Sequence, residues 1–101
     1  MGSGIKVPVF VRPQQHTIYY EYLDLPDGDR LTFVHCDVVC RWTRQAKKRL
    51  HFDFNSLLAL RTQPVYCLRH TNMQEKFIRM FGFTYAFTAA NGEADIYKLE
   101  I

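Results

Sequence analysis

A run of positive side chains stands out in the middle of the chain, within residues 41–49 (RWTRQAKKR). Thr43 is a favoured N-cap residue and helical spacing follows it, so these cations surround a predicted helix N-terminus. Each cation opposes the helix dipole there by up to about 1 kcal/mol. Two interpretations stay open: a solvated basic face, or a surface that recruits an anion such as a cofactor phosphate, nucleic acid or an acidic protein. Trp42 can stack on a base, although a lone tryptophan is more often part of a core.

Four residues of zinc-binding type form a second candidate cluster: Cys36, Cys40, Cys67 and His70. Their spacing, Cys-x3-Cys and Cys-x2-His, lacks the Cys-x2-Cys knuckle that is common in structural zinc sites. Because free cysteine packs as a small hydrophobic residue, the sequence favours buried thiols and predicts no metal. A nucleophilic pair of Cys36 with His35 is disfavoured, since adjacent strand residues face opposite ways.

Size and composition indicate one globular domain. The chain has 101 residues, of which 48% are hydrophobic, so we expect a single domain over residues 5–101 and a flexible segment 1–4. The net charge of +3 is too small to indicate a nucleic-acid partner by itself. No apolar run reaches the roughly 20 residues of a membrane span, and no signal-peptide core is seen, so no membrane is expected. Three cysteines without a secreted spacing pattern favour a reducing, cytoplasmic setting.

The first part of the chain reads as three strands, at residues 5–12, 16–25 and 30–39. Pro8 places the first strand at a sheet edge, because proline cannot donate to a ladder. The first strand's alternate apolar residues are expected to share one face: Ile5, Val7, Val9 and Val11. The third strand is apolar along its length and is expected to be central.

The second part reads as helix, strand, helix and hairpin. A helix is predicted over 43–61, with a break at 51–55 considered because helix propensity is low there, followed by a short strand at 65–68. Thr71 or Asn72 caps a second helix that ends at Gly82. An aromatic strand, a turn at Asn91-Gly92 and a returning strand at 95–101 complete the chain. The predicted fold is α+β, with two helices and a mixed, mostly antiparallel sheet of about six strands.

The ending, a capped helix that runs into Gly82-Phe83 and then a hairpin, resembles the C-terminal half of the GNAT family of N-acetyltransferases. The whole order of elements is similar to the family order without its first strand and first two helices. Residues 41–49 and Lys76-Phe77-Ile78-Arg79 are also similar to GNAT-like proteins of short-tailed bacteriophages, one of which is packed inside the virion. The resemblance implies a host-cytoplasmic or virion location. It also implies that strands 30–39 and 65–68 are parallel neighbours joined by helix 43–61.

The resemblance also implies where acetyl-CoA chemistry would lie. Backbone amides of an R/Q-x-x-G-x-G/A loop bind the cofactor pyrophosphate in this family. The corresponding candidates here are Arg41, Thr43, Arg44, Gln45, Ala46 and Lys48. Arg44 stands where the family has glycine, and Ile78 stands where it has the tyrosine that protonates the departing thiolate. A general base would be His35 or Asp37, on the central strand.

These departures favour a non-catalytic domain with a structural, virion-assembly or protein-interaction role. Such a domain needs no cofactor, although acetyl-CoA remains the cofactor of the alternative, an N-acetyltransferase with an altered site. A nucleic-acid or other anion-binding module is the second alternative. Because the family helices that cover one sheet face are absent, bare aromatic surface and a protein partner or homo-oligomer are expected. On the second strand, Tyr19 is predicted to face away from Tyr20 and Tyr22.

Overall fold

The structure is a computed structural model that describes residues 5–89, 92 and 94–101. Its elements, in chain order, are β1 (Lys6–Arg12), β2 (His16–Asp24), β3 (Arg30–Val38), α1 (Arg44–Leu58), β4 (Val65–Arg69), α2 (Asn72–Phe81), β5 (Thr84–Thr88) and β6 (Asp95–Leu99). One mixed sheet has the order β1-β2-β3-β4-β6-β5. The predicted α+β fold with a six-stranded sheet and two helices is therefore confirmed. The predicted flexible segment 1–4 and Asn91 of the predicted turn lie outside the described residues, while Gly92 has the left-handed φ of 74° that such a turn needs.

β1, β2 and β3 form an antiparallel meander with β1 at the sheet edge, as Pro8 predicted. The expected single face of Ile5, Val7, Val9 and Val11 is wrong. A bulge between Pro8 and Phe10 shifts the register, so that Val7 lies opposite Tyr20 while Val11 lies opposite Thr17, on the other face. The bulge adds one residue next to the proline, which cannot donate to the ladder, and this reverses the alternation.

β3 and β4 are parallel and are joined by α1, as predicted. Their ladder has one residue pair, Phe33 with Tyr66, whereas the antiparallel β2–β3 ladder has a pair for every residue of its two strands. The two parallel strands are therefore held at one level and open a cleft at their C-terminal ends, where α1 and α2 begin.

Both helices pack on the same face of the sheet. Leu50 and Phe54 of α1 and Phe77 of α2 join Ile18 and Val34 in the core. α1 has no break at 51–55, because two residues of that segment are anchored by tertiary contacts. The Phe54 ring lies 4.6–6.4 Å from three aromatic rings of the second half of the chain, and Asp53 pairs with strands β1 and β2. Packing here outweighs local propensity.

The ends of α2 follow the sequence closely. Thr71 caps the helix: its hydroxyl accepts from the amide of Gln74 at 3.2 Å, and the Gln74 side chain accepts from the Thr71 amide at 2.9 Å. This reciprocal pair is a capping box. Gly82 ends the helix with φ 75°, as predicted.

The opposite side of the sheet carries neither α1 nor α2 among the described residues, and we call it the helix-free face. Strand register places these side chains on it: Thr17, Tyr19, Glu21, Leu31, Phe33, His35, Asp37, Tyr66, Leu68, Phe87 and Ile96. Tyr19 faces away from Tyr20, as predicted, because Tyr20 belongs to the core on the helix side. Phe33 and Ile96 are buried among their neighbours, whereas Phe87 is 43% exposed.

Candidate functional site

A cavity of about 270 Å³ lies where β3 and β4 diverge. Its walls come from residues 34–38 of β3, Leu50 of α1, Cys67 of β4 and the first turns of α2. The cavity therefore reaches from the helix side of the sheet to the helix-free face. Both predicted base candidates, His35 and Asp37, line it.

His35 forms a short polar contact at this cavity that the sequence did not predict. Its Nε2 lies 2.7 Å from Glu21 Oε1, and both side chains are largely buried, at 13% and 23% exposed. The contact arises because His35 lies opposite Tyr19 in the β2–β3 ladder, so Glu21 is its diagonal neighbour on the same face. A carboxylate in this position orients the imidazole ring, which is how a general base is held. Asp37 shares the face but is exposed.

The thiols at the cavity are protonated. Burial raises the pKa of Cys36 and of Cys67 to about 12, so neither is a thiolate near neutral pH. Cys36 points to the side opposite His35, as the strand alternation predicted. Within the described ranges, no group of three or more His, Cys, Asp or Glu side chains could hold a metal ion, so the zinc alternative of Cys36, Cys40, Cys67 and His70 has no geometric support.

The cavity offers no phenolic proton donor among the described residues. Phe77 lines it, and Ile78, which occupies the family's tyrosine position, is buried in the core. Tyr66 lies on the helix-free face and Tyr85 is 56% exposed near the sheet edge, and neither lines the cavity. An acyl transfer here would release a thiolate without a tyrosine to protonate it.

The predicted cofactor loop forms the start of α1. Arg41, Arg44 and Lys48 are exposed, and Gln45 is exposed beside them. The Thr43 hydroxyl accepts from the Ala46 amide at 3.1 Å, and the Thr43 carbonyl accepts from the Lys47 amide at 3.0 Å. Ala46 itself is only 3% exposed. One of the first-turn amides that would cradle a pyrophosphate, that of Ala46, is thus engaged by the cap, and the large Arg44 side chain occupies the glycine position.

A second cavity, of about 350 Å³, separates the start of α1 from α2, and we call it the basic cleft. It is lined by Trp42, Lys47, Lys76, Arg79 and Met80. The α1 cations and the segment around Lys76 are visible in the sequence, but their proximity is not. Their meeting depends on how the helices pack, and no local pattern encodes that distance.

No protein-family model matches this chain, and neither curated proteins nor solved structures give a significant match. None of the helices in the described part of the chain is long and apolar enough to cross a membrane.

Proposed function

We propose that this chain is a GNAT-like domain of phage type that works as a non-catalytic protein-interaction domain, in virion structure or assembly. The order of elements supports the family assignment, because three strands, a helix, a strand, a helix and a hairpin follow the family order from its second strand onward. The parallel β3–β4 pair, the α1 connection and the final hairpin occupy the places that the resemblance requires. A host-cytoplasmic or virion location follows from the same proposal.

Loss of catalysis is supported by three features of the site. Arg44 replaces glycine, the Ala46 amide is engaged by Thr43, and the cavity lining holds no tyrosine among the described residues. The first two weaken binding of a pyrophosphate, and the third removes a usual donor for the leaving thiolate. Together they affect both cofactor binding and protonation of the leaving thiolate.

The main support for a protein-interaction role is the helix-free face. The described part of the chain leaves one face of a six-stranded sheet without a covering layer, although sheets bury at least one face and often two. Tyr19, Tyr66 and Leu68 are half-buried there, and Phe87 is exposed. Partly exposed aromatic side chains on a sheet face without a covering layer are typical of a protein contact.

A second copy of the chain is the occupant that fits this face most simply. Two such faces can stack about 10 Å apart, as the sheets of a β-sandwich do. The surface carries both signs of charge, because Lys6 of β1 and Lys98 of β6 lie on the same face as Glu21 of β2 and Asp37 of β3. A two-fold axis would place cations of one copy near carboxylates of the other.

Isothermal titration with acetyl-CoA and with CoA separates this function from its enzymatic alternative. The proposal predicts no saturable heat for either ligand. The alternative, an N-acetyltransferase with an altered site, is favoured by one observation, the His35–Glu21 pair at the β3–β4 cavity. Saturable acetyl-CoA binding, together with acetyl transfer that His35→Ala abolishes, would establish the alternative and overturn the proposal.

A further inference from the structure

The basic cleft gathers cations from two helices without a matching carboxylate in its lining among the described residues. Lys47 comes from α1, and Lys76 and Arg79 come from α2. In the part of the chain that the structure describes, no ion pair includes Lys47 or Lys76, and Arg79 pairs with Glu75 at 2.7 Å. Like charges that face one cavity repel each other, so the arrangement costs free energy unless an anion lies between them.

The positive surface extends beyond the cleft. Six of the thirteen Lys and Arg residues lie at the start of α1 or on α2: Arg41, Arg44, Lys47, Lys48, Lys76 and Arg79. Arg44 lies three residues before Lys47 on α1, so the two are neighbours on the helix surface. The net charge of only +3 therefore does not reveal that the cations are concentrated in one strongly basic region. A track of cations longer than one cavity suits a chain of phosphates better than a single small anion.

Trp42 gives the cleft an aromatic wall. The side chain is half-buried, because it packs against the core while it lines the cavity. The packing fixes the ring, and Met80 adds a second apolar surface. A cavity of about 350 Å³ falls within the usual size range of ligand pockets. Sites for single-stranded nucleic acid combine these two elements, a stacking ring and a basic groove along the backbone.

We propose that the basic cleft binds single-stranded nucleic acid. One base stacks on Trp42, successive phosphates lie against Lys47, Lys76 and Arg79, and the strand continues along Arg44 of α1. This binding surface uses no residue of the helix-free face, so it does not depend on what covers that face.

Trp42 is the only tryptophan of the chain, so its fluorescence reports directly on the cleft. A thymidine oligonucleotide of about 16 nucleotides, the upper end of common site sizes, is titrated into the protein at two salt concentrations. We expect quenching that saturates and an affinity that falls as salt rises, with a log–log slope of roughly −2 for three phosphate contacts. Quenching by CoA alone, with no response to the oligonucleotide, would overturn the proposal.

A charge-reversal pair supplies the matched control. Lys47→Glu with Lys76→Glu should weaken oligonucleotide binding by at least about tenfold, because both phosphate contacts become repulsive. Lys6→Glu with Arg30→Glu makes the same change of charge on β1 and β3 and should leave binding near the wild-type value. Thermal unfolding checks that both variants fold. Equal loss in both variants, or equally tight binding of polyglutamate and of the oligonucleotide by wild type, would contradict the proposal.

Discussion

At the scale of single residues, the least expected feature is a carboxylate in the middle of α1 that is buried against an arginine and a histidine. Asp53 is 2% exposed, and its oxygens accept from Arg12 Nε and Nη2 and lie against His16 Nε2, each at 2.7 Å. The arrangement ties α1 to β1 and β2 across the first half of the chain. Burial favours the neutral acid, but the hydrogen bonds from Arg12 and His16 outweigh it, so the pKa of Asp53 is lowered.

Asp53→Asn should destabilise the fold by about 3–5 kcal/mol, since removing the buried carboxylate leaves the Arg12 guanidinium uncompensated. Denaturant unfolding at neutral pH measures this loss. Asp37→Asn, at an exposed aspartate of β3, is the matched control and should change stability little. A loss below about 0.5 kcal/mol for Asp53→Asn would mean that the contacts contribute nothing net.

The same carboxylate predicts a pH dependence. Because its folded pKa lies below the unfolded value of about 4, the ionised form stabilises the fold fully above that value. This contribution is lost as the pH falls from about 4 toward the lowered folded pKa. Wild type should therefore lose more stability than Asp53→Asn over that interval, as unfolding curves at successive pH values would reveal. Parallel curves for the two proteins would contradict it.

The thiols provide a second test at this scale. With pKa values of about 12, Cys36 and Cys67 should react with Ellman's reagent at pH 8 far more slowly than in denaturant. The physical reason is that burial disfavours the thiolate, which is the reactive form. Stopped-flow absorbance on the native protein, with Cys40→Ser to isolate the two buried thiols, measures this. Fast reaction of both in the native state would show that the cavity is open to solvent.

At the scale of elements, α2 is the helix whose two ends are most clearly specified by its own sequence. Thr71→Ala removes the hydroxyl of the capping box and should cost about 1 kcal/mol. Denaturant unfolding measures the loss against Thr62→Ala, which changes an exposed threonine of the loop before β4. Equal stability of the two variants would show that the cap contributes nothing to the folded domain.

Local patterns predicted every helix and strand, because hydrophobic periodicity, caps and turn residues are properties of short segments. The faces of β1 and β5 were not predictable in this way. A bulge in each strand reverses the alternation, and in β5 it sends Tyr85 and Phe87 to opposite faces. The bulges become visible only when the partner strand and its register are known.

The candidate site was also hard to predict, because it depends on contacts between segments that are distant in the sequence. Glu21 lies beside His35 only because of the β2–β3 register. The basic cleft needs α1 and α2 to meet, and Asp53 needs β1 and β2 beneath the helix. In each case the residue types were visible in the sequence, while the distance between them was set by tertiary packing.

At the scale of the whole molecule, the two sides of the sheet have different properties. One side is covered by two helices and carries the core, while the other is a helix-free face with partly exposed aromatic residues. The proposed role as an interaction domain rests on this asymmetry. Its central claim is that the helix-free face binds another protein surface, and the first partner to test is a second copy.

Sedimentation equilibrium over a wide concentration range tests that claim most directly. The account predicts a dimer of the 12.0 kDa chain, and Phe87→Lys should weaken it by at least about tenfold, because a charge would enter an apolar contact. Phe52→Lys makes the same change at a phenylalanine that is 68% exposed on α1, away from the helix-free face, and should leave the dimer intact. A wild-type protein that stays monomeric up to millimolar concentration, or equal disruption by the two variants, would contradict the account.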